Sequence, residues 1–148
     1  MAVAAKWWAL LADRRGASAV EFALIAAPLL LLIVGTVEYG RLIWTKQAMQ
    51  SIAISTARCM GIRQLECSSG GAFSAAATRA MVVADANSIG VGLAAADVTL
   101  NKAAICNGIS GFSQVTISYQ FTSAAPAFLT AMATGGNLSA TACFPNQS

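Results

Sequence analysis

The sequence predicts an α+β protein: a long N-terminal helix whose first half suits a membrane, a second helix, and a small antiparallel β-sheet of about three strands. Three observations lead there. Residues 22 to 37, FALIAAPLLLLIVGTV, carry no charge. Residues 73 to 89, FSAAATRAMVVADANSI, are rich in alanine and are flanked by a helix-starting Ser74 and a helix-stopping Gly90. Val115, Ile117, Tyr119 and Phe121 alternate with Gln114, Thr116, Ser118, Gln120 and Thr122, the period-two pattern of a half-buried strand.

Residues 1 to 16, MAVAAKWWALLADRRG, form a short basic leader with Lys6, Arg14 and Arg15 against one acid, Asp13. The uncharged run that follows rises about 24 Å as a helix, somewhat short of a hydrocarbon core of roughly 30 Å. Reaching back to Ala17 gives an ordinary span, at the expense of including Glu21. Tyr39 and Trp44 stand where an interfacial aromatic belt belongs, and Pro28 in mid-run is tolerated in membrane helices. From Glu38 onward the pattern turns amphipathic, with Met49, Ala53, Thr56 and Met60 on one face. Glu38 and Arg41 make an i,i+3 pair worth a few tenths of a kcal/mol. One helix is expected from about Ala17 to about Met60, with Gly61 as the stop.

Residues 64 to 72, QLECSSGGA, read as a loop, and Phe73, Ala76, Ala80, Val83 and Ala84 as the buried stripe of the second helix. Val98 and Leu100 open a first strand. The turn-rich NGISG at 107 to 111 links it as a hairpin to the strand at 115 to 121. Residues 123 to 136 read as a longer, partly apolar loop, and Leu138, Ala140 and Ala142 as a third strand. The organisation is thus a leader at 1–16, a helix at 17–60 and an α+β domain at 61–148.

Of the 148 residues, 57% are hydrophobic and only 10% charged, against about 25% charged in an average soluble domain. The net charge of +3 is small and unclustered, which argues against a nucleic-acid partner. There is no histidine, which removes the commonest general base and metal ligand. The remaining acids after the leader, Glu21, Glu38, Glu66, Asp85 and Asp97, share no metal-binding or acid/base spacing. No nucleophile elbow, phosphate loop or dinucleotide fingerprint occurs. An enzyme, a cofactor and a metal site are therefore not expected.

Cys59, Cys67, Cys106 and Cys143 are spread out without a C-x-x-C, so they read as two disulfides rather than a zinc site. Three connectivities are open. In a meander, Cys106 and Cys143 lie at the same end of the sheet but two strand spacings apart, nearly 10 Å. A disulfide wants Cα atoms within about 7 Å. Pairing them requires the chain to bend in, or the first and third strands to be neighbours. Cys59–Cys67 and Cys106–Cys143 is the favoured set.

Three readings compete for the apolar segment. A cleaved secretory signal is opposed by Glu21 and by the lack of a small-residue cleavage site after the run. A plain single-span anchor leaves Glu21 as an unexplained cost. The third reading rests on a resemblance. Arg14-Arg15-Gly16, then Ala19-Val20-Glu21-Phe22-Ala23-Leu24, Pro28 through Leu32, and Val37-Glu38-Tyr39-Gly40-Arg41 resemble the N-terminal signature of the TadE-like pseudopilins. These are minor pilins of the tight-adherence (Tad, or Flp) branch of type IV pili. The resemblance covers about a third of the chain, and the four cysteines are not part of the signature. It implies cleavage between Gly16 and Ala17 by a prepilin peptidase, with the apolar segment retained. It implies an assembly role for Glu21 and Phe22, the carboxylate pairing with the N-terminal amine of a neighbouring subunit. It also implies other pilins, an inner-membrane assembly platform and the lipid bilayer as partners, and a C-terminal domain in the periplasm. Ala19, Ala23 and Ala27 form a small-residue stripe that permits close helix packing.

Overall fold

The computed structural model describes residues 16–123 and 136–147. The basic leader at 1–15, including Lys6, Arg14 and Arg15, and most of the loop expected at 123–136 lie outside the described residues. The chain is α+β. A helix α1 spans Ala17–Gly61. A two-residue strand β1 (Ser68–Ser69) pairs with β2 (Ala72–Phe73), a helix α2 spans Ala75–Ser88, and β3 (Val98–Cys106), β4 (Ile109–Gln120) and β5 (Asn137–Pro145) form an antiparallel sheet in that order. Two compact units divide the chain at Val37/Glu38.

The first unit comprises, among the described residues, 16–37. Its Ala- and Leu-rich composition favours helix, and Pro28 sits within α1.

The second unit, Glu38–Ser148, has one core. The face of α1 expected from sequence is the buried one: Met49, Ala53, Thr56 and Met60 are all sealed from solvent, joined by Ile52 and Ala57. α1 ends in a Schellman-type closure, with Gln64 N–H donating to Cys59 O at 3.1 Å and Arg63 at φ 55°. The Cys59–Cys67 disulfide, Cα atoms 6.0 Å apart, staples the following turn to the helix end. The stretch read as a loop at 64–72 is more regular than expected. Leu65–Cys67 form one 3₁₀ turn, and Ser68 and Ser69 pair with Phe73 and Ala72. A two-strand ribbon this short carries no hydrophobic alternation, so its pattern is silent in sequence.

α2 starts as read, with Ser74 Oγ accepting from Ala77 N–H. It ends in a full Schellman motif, Val91 N–H to Ala86 O and Gly90 N–H to Asn87 O, which needs Gly90 at φ 78°. The expected stripe is wrong. The buried residues are Thr78, Val82 and Ala86, whereas Ala76, Ala80 and Ala84 are exposed and Phe73 and Val83 only half-buried. Alanine gives little contrast between faces, and the true stripe begins with a polar residue. Thr78 Oγ1 lies within hydrogen-bonding distance of Ser74 O (2.8 Å) and Cys67 O (3.4 Å), so its burial leaves no donor stranded.

The β3–β4 hairpin turns on two residues, Asn107 (φ 52°) and Gly108 (φ 81°), so β4 starts at Ile109 and the expected five-residue link is shorter. Positive φ at both positions fits the Asn-Gly hairpin turn whose twist matches its strands. The sheet buries Val98, Val115, Ile117, Leu138, Ala140 and Ala142 in the same cluster as the ridge of α1. Gln50 Nε2 donates to Thr141 O on β5, and Arg79 Nε to Val98 O on β3.

The Cys106–Cys143 bridge forms with β4 lying between its strands, at a Cα separation of 6.5 Å. The register explains how. From Asn101 to Ala104, β3 advances three residues while β4 moves two, from Gln114 to Phe112; from Ala104 to Cys106 it advances two while β4 moves three, to Ile109. These bulges bend the hairpin end, the first of the two solutions that the sequence left open. Asn101 and Cys143 both pair with Gln114 and so share a face. The extra residue before Ala104 brings Cys106, five residues past Asn101, to that same face; a regular strand would turn it away. Asn146 secures the bend: its Oδ1 accepts from the buried Ser113 hydroxyl, its Nδ2 donates to Lys102 O at 2.8 Å, and its N–H donates to Gly111 O.

Two substitutions test this packing in denaturant titrations of the detergent-solubilised chain. Thr56 Oγ1 is buried with no hydrogen-bond partner among the described residues. Thr56→Val keeps the shape and is expected to stabilise by about 1 kcal/mol. A Cβ on Gly61 would sit 2.5 Å from Phe144 Cδ1 and 2.9 Å from Pro145 O. Gly61→Ala is expected to destabilise by about 1–3 kcal/mol, since the carbonyl cannot swing away as a side chain can.

Candidate membrane and assembly segment

Gly16 immediately precedes α1, is exposed, and has open space where a Cβ would stand. Ala17 is the first residue of the helix. Glu21, the fifth helical residue, and Phe22 are exposed, Phe22 at 73%. Gly16, Ala17, Glu21 and Phe22 thus lie within seven residues at one end of α1. Ala19, Ala23 and Ala27 are exposed as well.

The apolar side chains beyond Glu21 are uncovered. Leu24, Leu29, Leu30, Leu31 and Leu32 are each more than half exposed, and none of the most apolar stretch of α1 is buried. Burying one such side chain is worth about 1.5–3 kcal/mol, so the run as a whole strongly disfavours water. α1 is long and apolar enough to cross a membrane, which suggests a membrane anchor.

The four cysteines form the two expected pairs, Cys59–Cys67 and Cys106–Cys143, and none of them is free. No group of three or more metal-ligating side chains occurs among the described residues.

One cluster in the second unit escaped the sequence reading. Glu38 is 4% exposed. Its Oε1 accepts from Arg41 Nη1 at 2.8 Å, and its Oε2 accepts from Ser123 Oγ at 2.7 Å. The Arg41 guanidinium lies 5.6 Å from the Phe121 ring centroid, within cation–π range, and its backbone carbonyl accepts from Thr45 Oγ1. Spacing identified the Glu38–Arg41 pair as a helix-surface contact. It held no sign that a serine 85 residues away completes it, so the pair's burial was invisible. A carboxylate this buried must keep its hydrogen bonds, which makes the cluster a fixed point where β4 leaves the sheet.

The described residues thus combine one long apolar helix with a small disulfide-bonded α+β unit. Residues 16–58 match the family model described as TadE-like protein, the family that the N-terminal motifs resemble. The matched segment opens on Gly16 and runs along α1 to the residue before Cys59. It supports a protein associated with the Tad pilus. Comparison with curated proteins and with solved structures returned no match.

Removing the Glu38 charge tests the buried cluster. Glu38→Gln keeps the size of the side chain but replaces one acceptor by an amide facing Arg41 or Ser123. A loss of about 1–3 kcal/mol is expected in thermal or urea unfolding of the full chain in detergent. An unchanged midpoint would mean that the carboxylate is dispensable.

Proposed function

We propose that the chain is a minor pilin or pseudopilin subunit of a Tad-type type IV pilus, with a structural rather than enzymatic role in initiating, priming or capping pilus assembly. The observation that carries this reading is the TadE-like match beginning at Gly16, on a helix that keeps Glu21 and the apolar run exposed. The precursor crosses the bacterial inner membrane once. A prepilin peptidase cuts between Gly16 and Ala17, and the exposed Gly16 suits such a cut. The new amine of Ala17 then belongs to the same helix as Glu21. A carboxylate in an apolar medium is expensive, and an opposite charge on a neighbouring subunit lowers that cost. The pair would favour one register of association between this chain and other pilins at the inner-membrane assembly platform, within the lipid bilayer and without nucleic acid. Two disulfides favour an oxidising compartment, hence a periplasmic C-terminal domain.

A second reading, an uncleaved single-pass accessory or adaptor protein, is favoured by the apolar run alone, which is sufficient for anchoring without any cleavage. Intact mass of the protein recovered from membranes separates the two. The pilin reading expects a chain starting at Ala17, and a Gly16→Val variant that keeps its leader. It also expects Glu21→Ala to insert normally and to lose most of its incorporation into assemblies with other pilins. A chain starting at Met1, or a Glu21→Ala variant that assembles normally, supports the plain anchor.

A further inference from the structure

We infer that the Cys106–Cys143 bridge is installed on an already paired sheet by a protein oxidant whose disulfide is attacked by Cys143. Three observations carry this. First, the two cysteines are 37 residues apart in sequence and belong to the outer strands of the β3-β4-β5 sheet. In the folded sheet their Cα atoms lie 6.5 Å apart, with β3 paired to β4 and the register shifted on either side of Ala104. A regular, flat sheet holds such positions nearly 10 Å apart. Cys59 and Cys67, by contrast, are eight residues apart at the end of one helix and need no sheet. Second, Asn146 independently holds the bend, through Ser113 on β4 and Lys102 O on β3. The geometry of the bridge therefore does not rest on the covalent bond alone. Third, the two sulfur-bearing residues differ in access: Cys143 is exposed, whereas Cys106 is 8% exposed.

The exchange follows from this asymmetry. The Cys143 thiolate attacks the oxidant's disulfide, forming a mixed disulfide and releasing one oxidant thiolate. The Cys106 thiolate, held beside it by the bend, attacks Cys143 Sγ and displaces the second oxidant thiolate. The chain loses two protons and two electrons, and the oxidant leaves as a dithiol. The buried cysteine thus acts as the resolving thiol. This rests on the periplasmic placement of the domain for its biological setting, but the asymmetry itself is testable without a pilus.

The test uses the full chain in detergent, reduced without denaturant, as the variants Cys106→Ser and Cys143→Ser, with glutathione disulfide as the probe. Peptide mapping by mass reads which cysteine carries the adduct. Circular dichroism in the same buffer verifies that the sheet persists. Cys143 in Cys106→Ser is expected to react about tenfold faster than Cys106 in Cys143→Ser, and the ratio is expected to fall to about one in guanidinium. A second variant, deletion of Ala103, removes the extra residue of β3. It is expected to leave Cys59–Cys67 formed and Cys106–Cys143 open after air oxidation. Equal rates in native buffer with the sheet intact, or a bridge that forms as readily in the deletion variant, would overturn the inference. Failure of either arm leaves the pilin reading standing, because Ala17 and Glu21 take no part in it.

Discussion

The second unit depends on the one buried cluster to which α1 and the three-stranded sheet both contribute. Ala53 and Ala57 are completely buried on α1, with Met49, Ile52 and Met60 beside them. Val115 and Ile117, equally buried, belong to the same cluster as these residues, and close packing makes such a core sensitive to changes in side-chain volume. Gly61 extends the same logic to the helix end, where Phe144 and Pro145 leave no room for a methyl group. With only about 110 residues, a unit of this size has a small core, and the two disulfides add cross-links at the end of α1 and at the bent hairpin.

How much of this was legible in the sequence depended on the physical contrast each element offered. The long helix was, because a charge-free run and a ridge at spacings of three and four differ sharply from their surroundings. So was β4, whose alternation of large apolar and small polar residues matches its register. The buried stripe of α2 was not. Alanine is nearly indifferent to exposure, and Thr78, which leads the true stripe, looks like a surface residue until its hydroxyl is seen within reach of the Cys67 and Ser74 carbonyls. The disulfide pairing was within reach of topology, but the device that makes it feasible, one extra residue in β3, has no signature in the segment Asn101 to Cys106.

The candidate site divides along the same line. Gly16, Ala17, Glu21 and Phe22 are recognisable because their meaning is local: order along the chain, not a folded neighbourhood, defines them. The Glu38 cluster is defined by the fold. Its first two members are adjacent on a helix, and its others, Phe121 and Ser123, arrive from the end of β4. Sequence spacing priced the Glu38–Arg41 pair as a solvated contact. Burial of the carboxylate changes what its loss would cost, since an unpaired buried charge is far more expensive than a lost surface ion pair.

The two side chains that reach the sheet margins have a consequence for solubility at high density. Gln50 occupies a carbonyl of β5, and Arg79 occupies one of β3. An open sheet offers two rows of unmet amide and carbonyl groups, and a strand from another molecule can add to either one. Here a donor from a helix of the same chain engages a carbonyl of each outer strand, and on β3 the donor is cationic. A protein gathered on a membrane surface meets its own copies far more often than one in dilute solution. A helix side chain anchored on each outer strand, one of them charged, disfavours strand-to-strand fusion in that crowd.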